Sequence, residues 1–395
     1  MIILSTSRLR LNALMAVIHL MMLVYGISLT MLGPLVTVFI ERFNISLSDN
    51  GLITFFQGIG GIICVFAGIF FADRFKKSAI INASFAVYCA SLIALSFTDS
   101  YLLLLVLFFS IGGSTRILEA IFNAYITDIQ KEKRRFHLSM LHVFLGIGAL
   151  AGPMLSTLFI DSGIRINNLF LYLGILCVIL LSAFVIVHKG VKENGNRINK
   201  KSVSVSNVLF KNKALVFFLP SFLYVGYAIA SSIWMPAYMT RELRADAFLS
   251  GFSVSSLWIG VIAGRLLCSF LFAKQNVKYF ILLCGISGGV IITIAVIINT
   301  PAAYIIGYIL SGMTVGPAVP LTVMIAGDIF PDNTGSTSAI IGLGATTGVM
   351  VIPWLIGLIA QNAQFWTAIL VLNLIPFLIG ASALILPNKR YVKNI

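Results

Sequence analysis

The chain has 395 residues, of which 59% are hydrophobic and only 10% charged, with a formal net charge of +14. Soluble globular chains carry about 25% charged residues. A soluble fold is excluded, because so much apolar surface has to face lipid or other lipid-buried helices.

Arg8 and Arg10 precede the first apolar run, as in the n-region of a signal peptide. That run, 13–40, is too long for an h-region and has no small-residue cleavage site, so it reads as span 1. Short polar clusters then separate further apolar segments at 51–72, 79–97, 101–127, 136–160, 168–187, 214–239, 247–273, 279–298, 302–327, 335–360 and 365–386. These are spans 2 to 12. The longest polar interruption, 189–213, contains KGVKENGNRINKK and divides the chain into six plus six. The expected fold class is therefore an all-α membrane protein of twelve transmembrane helices in two six-helix halves. Its parts are an N-terminal half (1–188), a cytoplasmic linker loop (189–213) and a C-terminal half (214–395).

The placement of basic residues accounts for the net charge. Of 27 lysines and arginines, 21 lie in loops on the side of the N-terminus and 4 on the opposite side. The remaining two, Arg116 and Arg265, lie inside spans. By the positive-inside rule both termini and the linker are expected in the cytoplasm, at the cell membrane, with no nucleic-acid partner. The five cysteines all fall in apolar runs without CxxC spacing, which points to buried small side chains rather than disulfides or a metal site.

Small residues four apart allow close helix approach. They occur as Gly60/Cys64 in span 2, Gly148/Gly152 in span 5, Gly260/Gly264 in span 8 and Gly344/Gly348 in span 11. A shift of six spans relates the first two pairs to the last two. The pattern suggests an internal repeat, and we expect these four spans to form the surface on which the halves rock. Ordinary helix packing would use the same residues.

Thirteen acidic residues are present, nearly all in loops or at helix ends. Glu119 is the exception. It stands nine residues before Asp128, so about 13 Å from the end of span 4 and near the middle of a ~30 Å core. A charge there costs about 2.5–3.5 kcal/mol on insertion scales. Arg116 lies three residues earlier on the same face, and Asn123 and Thr127 extend that face into a polar seam. His142 in span 5 projects into the same half. A carboxylate that takes up and releases a proton beside a responsive cation is a workable coupling device, so Glu119, Arg116 and His142 are the proton-coupling candidates. A permanent ion pair that only locks span 4 needs the same two residues. Asn123, Gln57, Tyr224, Tyr227 and Trp234 are candidates for lining a solute site. Arg265, in span 8, is suited to bonding carbonyls at neighbouring helix ends, a gating role.

The segment AGIFFADRFKK (67–77) resembles the signature joining the second and third spans of major facilitator transporters. Asp73, Arg74, Lys76 and Lys77 match it, while Ile69 occupies the usual glycine position. The resemblance implies a major facilitator fold in which Asp73 and Arg74 latch one state, a gating role. LEAIFNAYITDI (118–129), HVFLGIGALAGP (142–153), YVG with a later Trp (224–234), SSLWIGVIAGR (255–265), and VGPAVP with GLGATTGVMVIP (315–353) are similar to the fucose:proton symporter branch. In that branch the position of Glu119 handles proton and sugar, and Asn123 matches its neighbour. The departures are an acid-free GISLTMLGP in span 1, Ala228 where an acid often follows YVG, and Arg116 where a small residue is usual.

The leading expectation is proton-coupled symport of a small polar solute, sugar-like or an organic anion, by a monomer in the bilayer. Proton-driven efflux of drugs or metabolites remains open, because GIGALAGP in span 5 also resembles the glycine-proline motif of drug antiporters. A non-transporting membrane receptor on the same fold is a third reading. An enzyme is not expected, and neither a cofactor nor a metal: His19, His137, His142 and His188 lack ligand spacing, and no nucleophile–base pair or phosphate loop occurs.

Overall fold

The computed structural model describes residues 2–72, 75–130, 133–189, 191, 213–271, 277–330 and 334–387. Among these residues the chain is helical, and eleven helices are long and apolar enough to cross a membrane. Span 2 is the further helix Leu47–Ala72. The fold class is the expected one. The linker lies almost wholly outside the described residues, as do Asp73 and Arg74.

Two spans are broken, and proline explains both breaks. A proline has no N–H for the carbonyl four residues earlier. Span 1 runs as Ile2–Thr30 and Leu32–Phe43, and Pro34 leaves the Thr30 carbonyl without its helical donor. Span 10 runs as Pro301–Val315 and Ala318–Ile329, interrupted at Gly316 and Pro317, with Pro320 one turn further on. Its start is conventional: Thr300 caps the Ala303 N–H at 3.3 Å, and Pro301 occupies the first turn.

The chain forms two compact units, Met1–Leu32 with Phe56–Asn199, and Gly33–Phe55 with Lys200–Ile395. Residues 33–55 group with the second unit for visible reasons. Gly33 packs on the Ser232 carbonyl, which Pro236 leaves without its helical donor. The Leu47 N–H donates to Gln361 Oε1 at 3.2 Å, and the rings of Phe55 and Trp354 stand 5.4 Å apart.

Within the first unit span 1 packs on span 5 (helix Arg134–Asp161), and span 3 (Lys77–Leu95) packs on spans 4 (Tyr101–Ile129) and 6 (Ile166–His188). The second unit repeats the pattern. Span 7 (Phe218–Arg241) packs on span 11 (Thr334–Asn362), and span 8 (Ala247–Leu271) packs on span 10. Span 9 (Val277–Ile298) packs on spans 10 and 12 (Phe365–Ser382). Outward faces are apolar, as lipid requires; Ile186, Leu283 and Ile297 are among the exposed side chains.

The glycine pairs serve packing inside each unit. Each packs its helix against another helix of the same unit. Gly60 lies on the Phe109 carbonyl of span 4, and Cys64 fits beside Gly113. Gly148 and Gly152 lie on the Leu23 and Ile27 carbonyls of span 1. Gly260 and Gly264 lie on Ile309 and Met313 of span 10, and Gly344 and Gly348 on Phe218 and Phe222 of span 7. The physical reason is that a face without Cβ atoms lets backbones touch, and such contact holds helices together. The repeat visible in these pairs is a repeat of packing inside each unit.

Prolines also dictate polar cross-links between spans. Pro153 leaves the Ala149 carbonyl without its helical donor, and Thr30 Oγ1 of span 1 donates to that oxygen at 2.8 Å. Pro320 likewise frees the Gly316 carbonyl, which accepts from Arg265 Nε at 3.2 Å.

Candidate functional site

The polar seam of span 4 is present as spaced. Arg116 Nη1 lies 3.0 Å from Glu119 Oε2, an i,i+3 ion pair whose side chains are 21% and 28% exposed. Asn123 Nδ2 donates to the Glu119 carbonyl at 2.7 Å, and Thr127 Oγ1 donates to the Asn123 carbonyl at 2.8 Å. Asn123 and Thr127 remain partly exposed along the same face. The seam is thus an ion pair at mid-span followed by two self-bonded polar side chains. A charge pair that keeps this much exposure inside an apolar helix fits a water-accessible path, since lipid contact would be costly.

Span 1 supplies a neighbour that the sequence did not reveal. Tyr25, almost fully buried, lies beside Thr115, Arg116 and Glu119. Ser28, one turn along, donates to the Tyr25 carbonyl at 2.9 Å and is bonded to the Tyr88 hydroxyl of span 3 at 2.7 Å. Spans 1, 3 and 4 therefore meet in one polar cluster around the ion pair. The glycine contacts of span 5 press span 1 into place. At the far end of span 4, Asp128 pairs with Lys77 at the start of span 3.

The other candidates are placed differently. His142 is exposed on span 5, and no contact with Arg116 or Glu119 is seen among the described residues. Gln57 is partly exposed, and its carbonyl is the surface on which Gly112 packs. Tyr227 and Trp234 are wholly buried within the second unit. The Trp234 indole donates to the Pro353 carbonyl at 2.8 Å and meets the Phe365 ring edge-on at 6.2 Å. These are packing environments. Tyr224 is also buried, but its hydroxyl accepts from Arg265 Nη2 at 3.2 Å. Arg265 itself is exposed. Its two bonds, to Tyr224 of span 7 and to Gly316 at the break of span 10, hold three spans together. Among the described residues no group of three or more histidine, cysteine or acidic side chains could hold a metal ion.

Two packing-repeated helical units with a polar pair inside an apolar span define a polytopic membrane protein of the carrier type. The family model described as Major Facilitator Superfamily matches residues 18–320, and the chain belongs to that superfamily. It is 25% identical over 339 residues to the glucose/mannose transporter GlcP of Bacillus subtilis (strain 168), covering 82% of each chain. Among solved structures it is similar to the D-xylose-proton symporter, with a TM-score of 0.76 and 13% identity over 94% of this chain and 97% of that one. It is also similar to the nucleoside transporter NupG, with a TM-score of 0.73 and 13% identity over 96% of this chain and 99% of that one. At such identities the structural likeness speaks for the fold alone.

Proposed function

We propose that this protein is a proton-coupled symporter of a small polar, sugar-like solute, working by alternating access in the cell membrane with both termini in the cytoplasm. The observation that carries the reading is the half-buried Arg116–Glu119 pair at mid-span 4. Protonation of Glu119 releases Arg116, and deprotonation re-forms the pair. The two charge states differ in how much polar surface the seam offers to a solute. Asn123 and Thr127 lie one and two turns further on, where hydroxyl groups can be bonded. The similarity to a glucose/mannose transporter and the branch motifs around Glu119 support a sugar-like cargo. Asp73 and Arg74 are assigned the latch, and Arg265 joins them as a residue that ties helix ends. Arg116, in place of a small residue, is the chief departure from the fucose:proton branch.

The test is a flux screen. The purified chain is reconstituted in proteoliposomes, an inward proton gradient is imposed, and uptake of labelled hexoses, pentoses and sugar acids is measured beside external pH. The expected result is accumulation of at least one of them with alkalinisation outside. A complete lack of gradient-driven uptake across the screen would refute the reading.

A further inference from the structure

Span 8 carries a second polar element that the span 4 pair does not use. Trp258 and Arg265 are seven residues apart, so they share one helix face, separated by about 10 Å along the axis. Ile262, between them on that face, is partly exposed. Both ends are anchored to span 7. The Trp258 indole donates to Ser232 Oγ at 3.3 Å, and Ser232 in turn donates to the Ala228 carbonyl at 2.7 Å. Arg265 donates to the Tyr224 hydroxyl and, on its other side, to the Gly316 carbonyl. Tyr224 and Ser232 are buried, while Trp258 is partly and Arg265 well exposed. The anchors are therefore fixed and the recognition surfaces open.

Trp258 stands near the middle of its helix, eleven residues from one end and thirteen from the other. Arg265 lies toward the side of the basic loops. A guanidinium in a span normally faces a water-filled path or the bundle interior. Here the two bonds hold it against spans 7 and 10 instead of letting it reach outward along the lipid. It has five N–H donors, of which the structure engages two. Among the described residues no ion pair joins it to an acidic side chain; its bonds are those to Tyr224 and Gly316. A positioned guanidinium with spare donors binds a carboxylate in fork geometry. A half-exposed indole offers an apolar face to a saturated or aromatic ring.

We propose that the Trp258–Arg265 face selects a solute that carries a single carboxylate on a sugar ring, a hexuronate or related sugar acid. The ring stacks on Trp258 and the carboxylate engages Arg265. Single charge matters: one guanidinium balances one carboxylate, whereas a sugar phosphate brings about −1.5 to −2. This inference rests on the transport reading above and narrows its cargo. It also fixes the charge balance. One monoanion entering with one proton moves no net charge, whereas a neutral hexose with one proton moves one positive charge.

The experiment uses the full chain in proteoliposomes under a pH gradient, with labelled glucuronate and glucose, and glucose 6-phosphate as a competitor. The expected result is a KM for glucuronate at least tenfold below that for glucose, weak competition by glucose 6-phosphate, and glucuronate uptake indifferent to an imposed potassium diffusion potential. Arg265→Gln should raise the glucuronate KM at least tenfold more than the glucose KM, and Arg265→Lys should retain part of the preference. Preference for glucose in the unaltered protein overturns the inference, as does an Arg265→Gln effect equal on both solutes. Stronger competition by glucose 6-phosphate than by glucuronate also overturns it. Should Arg265→Gln fail to assemble, the wild-type preference and its potential dependence decide. Uptake of neither solute overturns the inference; uptake of glucose alone overturns it and leaves the symport reading standing.

Discussion

Replacing Gly148 by alanine separates two uses of a glycine face. A Cβ at this position would run into the Leu23 carbonyl, with Ile27 N at 2.9 Å and Gly26 Cα at 3.0 Å. All three obstacles are backbone atoms of span 1, so no side-chain rotation relieves them. Span 5 has to retreat, and overpacking of this kind costs about 1–3 kcal/mol. For a unit of this size each kcal/mol lowers Tm by about 2–4 °C, so the drop should be about 2–12 °C. Gly342 is the internal control, since a Cβ there meets nothing within 4 Å. Alanine at that position gains helix propensity of up to about 1 kcal/mol and should leave Tm level or raise it. The assay is thermal unfolding of purified protein in detergent, with solute uptake measured in parallel. If Gly148→Ala leaves Tm unchanged while slowing transport, the glycines serve a sliding surface and the packing argument is wrong.

Two further stability predictions follow from the same contacts. Thr30→Val removes the hydroxyl that satisfies the Ala149 carbonyl and should cost about 1–3 kcal/mol. Pro153→Ala, which restores a helical N–H to that carbonyl, should recover part of the loss in the double variant, as a double-mutant cycle on Tm would reveal. Lys77→Met should destabilise by a similar amount, because it leaves Asp128 mostly buried without its partner; the Lys77→Met/Asp128→Leu pair should recover most of it in the same thermal assay.

Sequence patterns carried the fold because lipid imposes a simple rule on each segment. A run of about 20 apolar residues has to be a helix, and basic loops mark one side. The span 4 seam was legible for the same reason: Arg116, Glu119, Asn123 and Thr127 interact along one helix, where i,i+3 and i,i+4 spacing fixes neighbours. Contacts between helices were not legible. Tyr227 and Trp234 look like lining residues, but which side of span 7 faces its neighbours is decided by packing, and both are buried. Tyr25 gave no signal because its partners are about 90 residues away. Trp258 had one: it stands seven residues before Arg265. The break in span 10 was signalled by Gly316, Pro317 and Pro320, and the carbonyl that Pro320 frees is the one Arg265 finds. The direction of the glycine faces needed the neighbouring backbone, which a single helix does not contain.

The central claim is that Glu119 carries the coupled proton. Its most direct measurement compares Glu119→Gln with the unaltered protein in proteoliposomes, using the solute found in the flux screen. The account predicts that Glu119→Gln still exchanges solute in counterflow, where no net proton movement is needed, but no longer accumulates it against a gradient when a pH difference is imposed. Accumulation by Glu119→Gln equal to that of the unaltered protein, with the same pH dependence, would contradict it.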